Sequence, residues 1–164
     1  MDLTQFSKEE LFVSAIKSEV ESREIYSRLS ERVKNAFLKD RLTFLASEEE
    51  KHRAFLEGAF KREFPGKELI LPEKTPVPLP QIRIPDELVP LSEVLESAMN
   101  AELASQEFYN SFAVEFPEDT DMRKALEFFA TMEMGHYRLL EIERGNMQRF
   151  ESYDAYWPMM HIGS

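Results

Sequence analysis

The sequence predicts an all-α fold: an antiparallel four-helix bundle made of two helical hairpins joined by a long proline-rich crossover. Three observations predict it. Apolar residues recur at helical spacing in four stretches. Seven of the nine prolines crowd into residues 65–90, between the second stretch and the third. The halves on either side of that crowd repeat one another. One domain is expected over residues 1–164, with hairpin 1 at about 7–64, the crossover at 65–91, hairpin 2 at about 92–150 and an aromatic tail at 151–164.

The first helix is expected to start at Ser7, which forms a capping box with Glu10. Its stripe is Phe12, Ile16, Tyr26, Leu29 and Val33, and Glu19 falls on the same stripe. A carboxylate on a buried face needs a partner, because an unpaired buried charge is costly. The second helix is expected from about Asn35 to about Phe64. Its stripe of Leu38, Leu42, Leu45, Leu56 and Phe60 also carries Glu49 and His52. A turn near Lys34 lies midway between Glu19 and Glu49, so the two face each other at one height in an antiparallel pair.

Residues 65–90 cannot continue a helix, because Pro lacks the N–H and favours extended backbone. At about 3.1 Å per residue some 25 residues reach about 75 Å, against the ~40 Å of a bundle helix. The stretch can therefore cross the whole bundle. Leu69, Ile70, Leu71, Ile82, Ile84 and Leu88 are expected to anchor it. The third helix is expected from Ser92, read as its N-cap, with Val94, Leu95, Ala98, Glu102, Tyr109 and Phe112 on its stripe. A break is expected at Phe116-Pro117-Glu118-Asp119. The fourth helix follows from about Thr120 to about Phe150, with Leu126, Phe129, Glu133, His136, Leu140 and Met147 on one face. Residues 153–161 are aromatic and not obviously helical.

The composition narrows the chemistry. The chain carries 31 acidic and 20 basic residues, a net charge of −11, so no basic patch is expected to meet nucleic acid. No apolar run approaches a membrane span, and the N-terminal residues do not read as a signal peptide, which makes cytoplasmic the expected location. Cys is absent, which excludes thiolate catalysis and Cys-held metals within these residues. Any metal must be held by Glu, Asp and His. There are three His, and two of them sit in matching motifs, Glu49-Glu50-Lys51-His52 and Glu133-Met134-Gly135-His136.

The repeat makes those motifs specific. Ser14, Ala15, Glu19, Ser22, Glu24 and Tyr26 recur as Ser97, Ala98, Glu102, Ser105, Glu107 and Tyr109 at an offset of 83. Phe44, Ala46, Glu49, His52, Leu56 and Glu57 recur as Phe128, Ala130, Glu133, His136, Leu140 and Glu141 at an offset of 84. Each half is thus a hairpin with one Glu on its first helix and Glu-x-x-His on its second. Residues i and i+3 share a helix face, so a Glu and a His so placed can offer an oxygen and a nitrogen to one ion. In a bundle, Glu19, Glu49, His52, Glu102, Glu133 and His136 converge as the ligand set of a di-metal carboxylate site. Four carboxylates neutralise two divalent ions. The competing readings are solvated faces for the motifs and a buried ion pair with Arg23 or another base for Glu19 and Glu102. Glu21, Glu24, Glu48, Glu50 and Glu107 read as surface charge, and His161 as a tail residue.

On these residues the chain resembles the ferritin-like di-iron carboxylate family, and within it the rubrerythrins. The resemblance covers the four helices. It implies that the six residues are metal ligands to two Fe ions, with Mn as the other candidate and no haem. It implies that Tyr26 and Tyr109 lie near the metals, read here as tyrosines bonding ligand carboxylates. It implies an oxidoreductase that reduces hydrogen peroxide or dioxygen, in the setting of oxidative stress; the other reading is an iron-binding or storage protein with ferroxidase activity. A metal-free helical interaction module is the third reading. Two features depart from the family pattern. The four Cys of a rubredoxin domain are missing, so a separate electron-donor protein such as a rubredoxin is expected. The position of a further family Glu is Ser105, with Ser22 as its repeat mate, so the resemblance does not extend to ligand exchange there. A homodimer is expected, with residues 65–90 long enough to serve as a hinge for exchanging hairpins.

Overall fold

The computed structural model describes residues 1–84 and 89–156, with the side chains described to residue 152. Pro85, Leu88 and His161 of the sequence reading lie outside the described residues. Four helices follow one another: α1 Lys8–Arg32, α2 Ala36–Glu63, α3 Leu91–Ala113 and α4 Asp121–Tyr156. The described residues contain no strand, and the chain is an all-α four-helix bundle. None of the described helices is long and apolar enough to cross a membrane.

Local chemistry sets most of the helix ends. The Ser7 hydroxyl accepts the Glu10 N–H at 3.2 Å, and the Ser7 N–H donates to the Glu10 carboxylate at 2.8 Å. Two free donors at the start of α1 are thereby satisfied. Asn35 caps α2 by accepting the Leu38 N–H at 3.1 Å. The chain leaves α2 through Pro65 and Gly66, whose φ of +79° is a left-handed conformation that glycine adopts without strain.

Two expectations about the second hairpin are corrected. Ser92 is not the cap of α3: the helix starts at Leu91, behind Pro90. Instead, Ser92 gives its N–H and its hydroxyl to the Glu151 carboxylate, at 3.1 and 2.5 Å. The unpaired N–H groups and positive pole of a helix start attract a carboxylate. Glu151 can supply it because α4 does not stop near Phe150 but runs on to Tyr156. The first part of the stretch read as a non-helical tail is therefore helix.

Within the bundle α1 packs on α2, α3 packs on α4, and α2 lies against α4. Contacts from Arg41 to Glu143 and from Phe55 to Phe129 make α2 and α4 antiparallel neighbours. The core divides into two clusters. One is aromatic, with Phe12 meeting Phe60, Phe64, Phe112 and Phe116 edge to face. The other, towards the α1–α2 turn, is aliphatic: Leu29, Leu38, Leu42, Leu45, Leu95 and Leu140. The six polar residues singled out by the repeat lie between them.

The segment after α2 runs along the outside of α1 and α3. The Val77 N–H donates to the Ser14 hydroxyl at 3.1 Å, and the Arg83 N–H donates to the Ser97 hydroxyl at 3.0 Å. Ser14 and Ser97 are repeat mates, so the same position of each half holds the strap. Val77 and Ile82 are buried, while Leu69, Leu71 and Ile84 are half-buried. Ile70 is exposed and anchors nothing. In extended backbone successive side chains point to opposite sides, so Leu69 and Leu71 face the bundle and Ile70 faces water.

Candidate metal centre

All six residues are brought together. Glu19 comes from α1, Glu49 and His52 from α2, Glu102 from α3, and Glu133 and His136 from α4, and all six are buried. They form two overlapping groups, Glu19–Glu49–His52–Glu133 and Glu49–Glu102–Glu133–His136, with the ligand atoms of each group within 4.8 Å of one another. Glu49 and Glu133 belong to both. Glu49 turns Oε2 towards His52 Nδ1 at 3.5 Å and Oε1 towards His136 Nδ1 at 3.3 Å. Glu133 turns Oε1 towards His52 Nδ1 at 3.1 Å and Oε2 towards His136 Nδ1 at 3.6 Å. Glu19 approaches only His52, at 3.7 Å, and Glu102 only His136, at 3.6 Å. Two shared carboxylates and two terminal ones are thus arranged about two imidazoles.

These contacts are close but are not aligned as hydrogen bonds. Glu49 Oε1, His52 Nδ1, Glu133 Oε1 and His136 Nδ1 are buried with no hydrogen-bond partner. A buried polar atom left unpaired costs about 1–3 kcal/mol. Four such atoms aimed at common points fit cations, which take lone pairs from oxygen and nitrogen alike. The residues present therefore fit a di-metal site.

Two tyrosines hold the terminal carboxylates, and they do so crosswise. The Tyr26 hydroxyl on α1 donates to Glu102 on α3, and the Tyr109 hydroxyl on α3 donates to Glu19 on α1. Both rings are fully buried. The two histidine environments differ: Phe129 lies against the His52 ring at 4.2 Å, whereas the repeat mate of Phe129 is Leu45. Periodicity places Phe129 on the stripe, but no spacing assigns it to one His. Arg23 is not the partner of Glu19. It bonds Glu50 at 2.7 Å, and Arg53 with Arg23 holds Glu50 down at about 2. Glu48, read as surface charge, is buried beside Lys51 at 2.5 Å. The spacing of a single helix does not reveal that burial.

The family model for rubrerythrin matches residues 10–143. The chain belongs to the rubrerythrin family. A hypothetical protein from Pyrococcus furiosus has a similar structure, with a TM-score of 0.79 and 32% identity over 91% of this chain and 95% of that one. No curated protein matches the chain.

The electrostatics of this rubrerythrin-type cluster follow from crowding four carboxylates in an apolar core. Burial, then the Glu49 charge, push the Glu19 and Glu102 pKa values well up. Burial alone pulls His52 down, but Glu133, Glu19 and Glu49 outweigh it and push it up to about 12. His136 is raised in the same way by Glu102, Glu133 and Glu49. Burial raises Glu49 and Glu133 too, yet the two imidazoles between them bring both below the ordinary value. Tyr26 and Tyr109 are pushed well up by burial and by their carboxylate partners, so they keep the protons they donate.

Before any ion binds, the raised pKa values of His52, His136, Glu19 and Glu102 favour a proton on each of these four groups. Divalent ions must displace these protons. All four pKa values are raised, so the displacement is easier as pH rises and metal affinity climbs from pH 5 to pH 8. Protons released on binding make the two-ion binding constant rise with pH. Calorimetric titrations in buffers of different ionisation enthalpy count these protons; a release near zero would contradict the assignment. The tyrosines allow a second check. Tyr109→Phe and Tyr26→Phe keep the ring and lose the bond, and each is expected to weaken metal binding about 10–100-fold. Competition with a chelating dye measures the loss, and unchanged affinity would reduce the phenols to space-fillers.

Proposed function

We propose that the bundle centre holds two iron ions and that the protein reduces hydrogen peroxide, with dioxygen as a slower oxidant, using electrons from a separate donor protein. Glu19, Glu49, His52, Glu102, Glu133 and His136 would hold the pair. One observation carries the reading: Glu49 and Glu133 each turn one oxygen to each side of the cluster. A shared carboxylate of that kind couples two ions into one site rather than leaving two separate ones. Bound there, a ferrous pair supplies the two electrons that reduction of peroxide to water requires.

The chain's own residues provide the rest. Four carboxylates balance the charge of two divalent ions and favour the oxidised pair. The imidazoles supply nitrogen donors that suit iron or manganese. Tyr26 and Tyr109 fix the terminal carboxylates and hold a proton at each phenolic oxygen beside the site. The aromatic and aliphatic clusters above and below exclude bulk water. The 164 residues contain no Cys, so the electrons come from a donor outside them.

Anaerobic reconstitution with Fe(II), followed by stopped-flow mixing with peroxide and separately with oxygen, tests the proposal. The expected result is two Fe per chain, one peroxide consumed per pair, and oxidation by peroxide faster than by oxygen. Metal content well below two, or faster reaction with oxygen followed by release of Fe(III), would overturn it.

A further inference from the structure

The two halves agree in the six residues of the centre but not in what lies outside them. In the first hairpin Arg23 on α1 reaches across to Glu50 on α2 at 2.7 Å, and Arg53 holds the same carboxylate at 2.6 and 2.9 Å. Arg23 follows Glu19 by about one helical turn, and Glu50 follows Glu49 directly, so this bridge spans the α1–α2 groove at the height of the centre. The repeat mates of Arg23 and Glu50 are Gln106 and Met134, which cannot form an ion pair. At this place the second hairpin has an open groove of about 470 Å³ between α3 and α4, lined by Gln106, Asn110, Ala130, Thr131, Met134 and Arg138. Ala130 is buried there, about one turn before Glu133. At Gly135, which also borders the groove, an added Cβ would meet nothing within 4 Å.

We infer that small neutral and anionic solutes, the oxidant among them, reach the centre through the α3–α4 groove, which Gln106 and Met134 leave open where Arg23 and Glu50 close its counterpart. That the oxidant is one of these solutes rests on the reading of the centre as the place where peroxide is reduced. The other approaches are covered. The strap of residues 65–84 lies over α1 and α3, held by Ser14 and Ser97. Between α2 and α4, Phe129 lies against the His52 ring and Phe55 against Phe129. The two apolar clusters fill the bundle above and below the centre. The groove also has the chemistry for such solutes. The amides of Gln106 and Asn110 and the hydroxyl of Thr131 offer donors and acceptors, as peroxide does in return. Arg138 is the one charged residue of the lining, and its field disfavours cations and attracts anions.

Azide binding to the Co(II)-loaded chain, followed by stopped-flow absorption, tests the route without any turnover. Gln106→Arg plus Met134→Glu transplants the bridge of the first hairpin onto the second. An exposed ion pair opens often, so azide association is expected to slow by only about three- to fivefold. A barrier on the route slows entry and exit alike, so dissociation slows by the same factor and the azide affinity does not move. Arg23→Gln plus Glu50→Met removes the first bridge and is expected to speed association. Circular dichroism and a full complement of Co(II) show that the variants are intact. If the bridge variant does not fold, Gln106→Glu plus Met134→Arg builds the same bridge with its ends exchanged. Unchanged rates in a folded bridge variant, or slower association matched by lost affinity, overturn the inference. Oxidation of the Fe(II) pair by peroxide is expected to slow by the same factor as azide. If azide is slowed but peroxide oxidises the pair in neither protein, the route stands and the proposed activity falls.

Discussion

Replacing Glu49 with Gln is expected to cost the protein both ions, whereas Glu19→Gln costs it one. The difference comes from sharing. Glu49 Oε2 faces His52 and Glu49 Oε1 faces His136, so a neutral amide there removes a charged oxygen from one side and places an NH₂ group on a side that needs a lone pair. Glu19 reaches the His52 side alone. For Glu49→Gln the loss of two-ion affinity should exceed the roughly 10–100-fold expected from losing a supporting partner. Glu133→Gln should behave like Glu49→Gln, and Glu102→Gln like Glu19→Gln. Metal content after anaerobic reconstitution and desalting separates the two classes. Equal stoichiometry in Glu49→Gln and Glu19→Gln would show that the ions do not share carboxylates.

Removing the ions is expected to lower the melting temperature by about 15–30 °C without unfolding the protein at 25 °C. An ion that binds only the folded chain adds about 4 kcal/mol at free concentrations 1,000-fold above its Kd. For a domain of this size each kcal/mol moves Tm by about 2–4 °C. Two ions therefore add about 8 kcal/mol. The fold survives their loss because the raised pKa values of His52, His136, Glu19 and Glu102 let protons offset the crowded charge in their absence, and because the two apolar clusters are complete without them. Calorimetry of chelated and reloaded protein measures the shift. An unchanged melting temperature would place the ions outside the core.

Much of this was readable from one dimension. Helix ends set by adjacent residues, such as the Ser7–Glu10 box and the Asn35 cap, depend on a few ångströms of local chain, and the sequence carries that information directly. Ends set by distant residues do not have this property. Ser92 looks like a cap in isolation, and only the return of α4 brings Glu151 to it. Glu48 and Ile70 fail for the same reason: burial depends on which neighbour covers a face, and periodicity does not name the neighbour.

The six polar residues of the centre were legible because the chain states them twice. A repeat with Glu on one helix and Glu-x-x-His on the next leaves few ways to bury four carboxylates and two imidazoles except together. Their division of labour was not legible. Each tyrosine follows its own helix's Glu by seven residues, which is two turns and about 10 Å, too far for a hydrogen bond. The bond therefore has to cross to the other half, Tyr26 to Glu102 and Tyr109 to Glu19, and it exists only once α1 and α3 pack. Likewise, nothing in the spacing tells Glu49 and Glu133 from Glu19 and Glu102. The sequence alone determined which side chains meet at mid-bundle, because helical period and repeat fix their height and face. Only the tertiary structure decided which carboxylates are shared, because that depends on the distance between α2 and α4, the two helices that also carry the histidines.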